Sequence, residues 1–132
     1  MALKDNHQTD KNHHLLQAIG HACEGIADMI KEERNMRFHV ALALIAIVFG
    51  IIFQLSRYEW LWILLAIMLV FSAEFLNTVT ELVTDLLVQR QYDINAKKAK
   101  DVAAGGVLIT AIFAVLVGII IFVPRVIELM RI

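Results

Sequence analysis

Cysteine, proline and glycine are all scarce in this chain of 132 residues, which holds one cysteine, one proline and six glycines. A single thiol, Cys23, excludes an internal disulfide and a cysteine-built zinc cluster. A lone free cysteine of this kind is expected to be a small packing residue. So little proline and glycine leaves little room for long structured loops. Net charge is also lacking. The formal value is −1, so no general attraction for nucleic acid exists and no nucleic-acid partner is expected. Neither a P-loop nor a kinase-type glycine-rich loop occurs, so an ATP site here would have to be built from helices. No signal peptide is expected, because the first strong apolar run begins near residue 40.

What is abundant is hydrocarbon. Apolar residues make up 59% of the chain and the mean hydropathy is +0.68, above the usual range for soluble domains. Three runs are candidate membrane helices, over residues 39–55, 60–88 and 102–123, the last ended by Pro124. The second run is 29 residues long. At ~1.5 Å per residue it exceeds a ~30 Å hydrocarbon core, so one end must leave the lipid. Trp60 and Trp62 anchor its apolar end at an interface, and the end carrying Glu74 to Asp85 passes the opposite one.

Positive charge gives the orientation. Lys4, Lys11, Lys31, Arg34, Arg37, Arg90, Lys97, Lys98 and Lys100 fall on one side, and Arg57, Arg125 and Arg131 on the other. This puts the N-terminus in the cytoplasm and the C-terminus outside. Residues 14–37 read as an amphipathic surface helix, with Leu15, Leu16, Ile19, Ala22, Cys23, Ile26 and Ile30 on one stripe. Residues 1–13 read as a polar, disordered tail. The remainder, 14–132, reads as a single integral membrane domain. QYDINAKKAKD, 91–101, reads as a polar cytoplasmic connection.

The polar end of the second run is AEFLNTVTELVTD. With Glu74 at zero and ~100° per residue, Asn77, Glu81 and Asp85 fall within an arc of about 80°. Carboxylates stacked on one face of a half-buried helix repel, so they call for a cation, a proton or both. The blander alternative is a polar seam between helices, which Asn77 alone would satisfy. Glu33 falls back onto the apolar stripe of the surface helix. It either shares a divalent ion with Glu81 or marks a helix end whose phase has changed. Lys97, Lys98 and Lys100 in AKKAKD either carry the positive-inside signal or reach an anionic ligand such as a nucleotide phosphate.

EFLNTVTELVTD resembles the signature E-x-x-N-S/T-A-x-E-x-x-x-D of the small bacterial membrane diacylglycerol kinase family. AKKAKDVAAGGVLI is similar to that family's A-K-x-A-K-D-x-A region, and KEERNMRFH to the E-E-R-N motif of its Gram-positive branch, mostly undecaprenol kinases. The resemblance covers residues 15–124. Val79, Thr80 and Gly106 depart from the usual residues and are expected to alter packing or the lipid pocket.

The resemblance implies an all-α homotrimeric membrane kinase with active sites shared between subunits. It implies transfer of the γ-phosphate of Mg-ATP to the hydroxyl of undecaprenol, or else to diacylglycerol, at the cell membrane. It assigns the catalytic base, beside the lipid, to Glu74, and metal ligands, for Mg²⁺, to Glu33 and Glu81. Asn77 and Asp85 support the site, with Asp85 on the nucleotide side. Lys100 and Asp101 are assigned to the nucleotide, and Gln91, Tyr92 and Asp93 to its adenosine end. The residues themselves leave open a reading of another class, an ion or proton path through a small oligomer. That path would require polar residues to continue through WLWILLAIMLVF, which has none.

Overall fold

The computed structural model describes residues 15–89 and 91–131. The tail expected over 1–13 lies outside them, as does Arg90. All regular structure among the described residues is α-helical: α1 (Leu15–Glu32), α2 (Arg34–Ile52), α3 (Arg57–Val88) and α4 (Ile94–Met130). Two compact units meet between Arg34 and Asn35. The helix expected over 14–37 is interrupted at Glu33. The Glu33 amide still donates to the Met29 carbonyl at 3.1 Å, so Glu33 ends the first unit on a closed turn.

In the first unit, Leu15, Leu16, Ile19 and Ile26 of α1 are exposed. Cys23 is exposed as well. Its expected packing role is therefore not seen among the described residues.

In the second unit, α2, α3 and α4 are each long and apolar enough to cross a membrane. α3 starts on a capping box. Ser56 Oγ accepts from the Glu59 amide at 3.4 Å, and Glu59 Oε2 accepts from the Ser56 amide at 2.8 Å, so both orphan donors are used. It stops at Gln89, which takes a left-handed conformation with φ 48°. The hydroxyls of Thr80 and Thr84 donate back to the carbonyls of Leu76 and Thr80, each at 2.7 Å. Such back-bonding removes the cost of a hydroxyl inside an apolar helix.

α4 is longer than the third apolar run predicts, in both directions. Its start is set by Asp93, whose Oδ1 accepts from the amides of Asn95 and Ala96 at 2.8 and 2.9 Å. Most of the expected connection 91–101 is thus the first turns of a helix. At the other end Pro124 sits inside α4 rather than ending it. Proline removes one backbone hydrogen bond, but Arg125 Nη1 bonds the Ile121 carbonyl at 3.2 Å and a carboxylate of α3, which holds the segment past the proline in place.

α3 and α4 pack along each other around Leu55, Ile63, Ala66, Val117 and Ile121. α2 joins through Phe49 and Phe53, whose rings lie 6.3 and 6.2 Å from that of Phe122. Gly50 permits the closest approach. A Cβ there would fall 2.7 Å from the Trp60 ring, so Trp60 packs inside the helical unit.

Candidate functional site

The polar face of α3 divides by depth. Glu74 and Asn77 are buried, at 2% and 8% exposure, whereas Glu81 and Asp85 are exposed. Asn77 Nδ2 donates to Glu81 Oε1 at 3.0 Å, as the i,i+4 spacing on one face requires. Asn77 Oδ1 is buried and has no hydrogen-bond partner among the described residues. A buried acceptor left in that state costs about 1–3 kcal/mol unless something else engages it.

Glu74 meets a residue to which the sequence reading assigned no role. His39 of α2 places Nε2 3.1 Å from Glu74 Oε1, with the two side chains 17% and 3% exposed, a close approach that does not meet hydrogen-bond geometry. The Phe38 ring stands edge-on to the imidazole at a centroid distance of 5.9 Å. His39 also lines an apolar cavity of about 310 Å³ between α2, α3 and α4, with Ala46, Ile63, Val70 and Gly118 among its walls. Val79, Thr80 and Gly106 do not line it, so these departures from the family pattern lie away from this cavity. The available signal for His39 was its place: it is the last ionisable side chain before an apolar run, where an unpaired one is costly.

The residues assigned to the nucleotide fall into separate contacts. Lys100 Nζ of α4 lies 2.5 Å from Asp85 Oδ1 of α3. Lys97 pairs with Asp101 at 2.5 Å, one turn along α4. Gln91, Tyr92 and Asp93 line a polar concavity of about 280 Å³ with Leu87, Val88 and Gln89. Within that set the Asp93 carboxylate is engaged in capping α4. Glu33 is half-buried. Among the described residues, no three His, Cys, Asp or Glu side chains converge as a metal site.

At the far end of α3, Glu59 receives both terminal nitrogens of Arg125, at 2.6 and 2.8 Å. Ser56 Oγ adds a bond to Glu59 Oε2 at 2.8 Å. This cluster is saturated and ties α3 to α4.

Comparison with known proteins meets this geometry from outside. The family model described as prokaryotic diacylglycerol kinase matches residues 20–122. An undecaprenol kinase of Bacillus subtilis (strain 168) is 37% identical over 120 residues, covering 91% of this chain and 96% of that protein. A diacylglycerol kinase of Synechocystis sp. is 36% identical over 116 residues, covering 88% of this chain and 66% of that one. The matched region contains α2, α3 and the first three-quarters of α4.

Proposed function

The chain belongs to the prokaryotic diacylglycerol kinase family and is a multi-pass membrane lipid kinase, and from that premise we propose that it phosphorylates undecaprenol at the expense of Mg-ATP. The observation that carries this reading is the depth gradient along α3: a buried carboxylate beside an apolar cavity, with exposed acidic and basic groups beyond it. A lipid alcohol brings its hydroxyl to the membrane level, and a nucleotide comes from water. α3 offers a group to each.

In the proposed reaction the lipid hydroxyl gives its proton to Glu74 as its oxygen forms the bond to the γ-phosphorus. The bond from that phosphorus to the bridging oxygen breaks, and ADP leaves with the electron pair. Phosphoryl transfer asks for positioning and charge neutralisation more than for covalent help. Lys100, now on Asp85, is within reach of a competing anion, and a nucleotide phosphate is the natural competitor. Gln91, Tyr92 and Asp93 stand at the adenosine end.

The donor set fits Mg²⁺. Glu33, Glu81 and the Asn77 amide offer hard oxygen ligands, and Asn77 Oδ1 is an acceptor without a hydrogen-bond partner among the described residues. Mg²⁺ held with a nucleotide takes few ligands from protein and the rest from phosphates and water. Glu33 and Glu81 would hold it, and when bound it neutralises charge developing on the phosphates.

The reading extends to assembly and placement. A homotrimer in the cell membrane, with sites completed by neighbouring subunits, is what the family resemblance implies. α1 is proposed to lie as an amphipathic helix on the membrane surface, ahead of a polar tail over 1–13 and as part of one kinase domain over 14–132. The charge distribution supports a cytoplasmic N-terminus and an external C-terminus.

Side-by-side turnover of undecaprenol and diacylglycerol by one preparation tests the substrate. Higher kcat/KM on undecaprenol is expected. Equal or higher efficiency on diacylglycerol would transfer the assignment to that lipid.

A further inference from the structure

We propose that His39 is a positioning residue for phosphoryl transfer, acting through Glu74. The inference rests on the reading of Glu74 as the base. Its own observation is the Nε2 to Oε1 distance of 3.1 Å between two largely buried side chains on different helices.

A carboxylate on a buried face has two oxygens and a rotatable end. To take a proton from an incoming hydroxyl it must present one oxygen at hydrogen-bonding distance, about 2.6–3.2 Å, in a fixed direction. Packing on α3 alone fixes the Cβ, not the carboxylate plane. His39 comes from α2 and brings Nε2 to ion-pair distance of Oε1, short of hydrogen-bond geometry, so the imidazole limits where the carboxylate can turn by charge and by contact. The imidazole is itself held by its helix, with the Phe38 ring against its edge at 5.9 Å. It also forms part of the apolar cavity wall, so a hydroxyl-bearing chain in that cavity lies next to the pair.

The same contact would serve as a plain staple between α2 and α3, and the two roles predict different things. A staple, like the Glu59–Arg125 pair, is read out in stability. A positioning contact is read out in kcat with Glu74 present, and disappears when the carboxylate is gone. Misplacing a reacting group by about 1 Å costs up to ~100-fold in rate.

The test is steady-state kinetics on wild type, His39→Ala, His39→Gln, Glu74→Gln and the His39→Ala/Glu74→Gln double variant, in one detergent, with thermal unfolding of each. Loss of kcat between about 10- and 100-fold is expected for His39→Ala, with KM for Mg-ATP changed less than about twofold. Gln carries an N–H donor near the Nε2 position, so His39→Gln should regain at least half of the lost log kcat. It also serves if the alanine variant folds poorly. The double variant should be no slower than Glu74→Gln alone, since residues acting as a unit are non-additive.

A His39→Ala kcat within twofold of wild type would overturn the inference while leaving Glu74 intact. So would losses that multiply in the double variant, or a glutamine variant no better than alanine. Near-normal turnover of Glu74→Gln would overturn the base assignment, and this inference with it.

Discussion

α3 carries two glutamates that reach another helix, Glu59 in its first turn and Glu74 just past its middle, and they are built in opposite ways. Glu59 accepts two bonds from Arg125 and two from Ser56, through its side-chain hydroxyl and its backbone amide. Its oxygens are filled, and nothing is left over for a ligand. Further along α3, Glu74 is more deeply buried and has His39 at 3.1 Å, while the neighbouring Asn77 keeps a buried oxygen with no hydrogen-bond partner among the described residues. A saturated ion pair at a helix end contributes to fold. A buried acceptor with capacity to spare, as Asn77 Oδ1 is among the described residues, is retained in an apolar helix for something that arrives later.

Substitutions in these two parts of α3 should therefore separate activity from stability. The largest effect is expected from Glu74→Gln, which removes the proton acceptor and keeps the shape. Turnover should fall by ~10²–10⁴-fold while ATP binding persists, measured by labelled-phosphate transfer and nucleotide binding. Glu81→Gln comes next. It should weaken Mg-ATP binding on the order of 10-fold or more, and normal binding would remove Glu81 from the metal set.

At the opposite end the sign of the contrast reverses. Arg125→Gln should lower stability by about 1–3 kcal/mol by leaving Glu59 with its Ser56 bonds alone, with kcat per folded enzyme unchanged. Gly50→Ala should cost about 1–3 kcal/mol as well, because its Cβ would meet the Trp60 ring at 2.7 Å. Thermal unfolding beside kcat reads both. If either substitution lowered kcat tenfold without destabilising the protein, the division of α3 into a structural end and a chemical end would be wrong.

The sequence made the chemical end easier to read than the structural one. Glu74, Asn77, Glu81 and Asp85 share a face by spacing alone, and helical geometry carries that spacing directly into space. The Asn77–Glu81 bond follows from the i,i+4 relation. Lys100 and Asp85 sit on different helices, and the motif around each, not their separation, pointed to one site. His39 escaped because its partner is 35 positions away; periodicity within α2 shows only a histidine at the edge of an apolar run. Arg125 and Glu59 escaped for the same reason, with 66 positions between them.

Pro124 illustrates a local rule overruled by tertiary contact. Proline costs a helix one bond, the one to the Ile120 carbonyl, and the Arg125 guanidinium ties the turn beside it to Glu59 of α3 and to the Ile121 carbonyl. The start of α4 was legible in principle: Asp93 stands ahead of INAKKAKD, a helix-forming stretch with a good N-cap. Its polarity masked it, since membrane helices are sought by hydrophobicity.

The most direct measurement is transfer of labelled γ-phosphate from Mg-ATP to undecaprenol in detergent micelles, with wild type, Glu74→Gln and Arg125→Gln in parallel. Labelled lipid from wild type and Arg125→Gln, and almost none from Glu74→Gln, is the predicted result. Comparable label from Glu74→Gln and wild type would contradict the account, because the buried carboxylate of α3 would then not be the group that takes the proton.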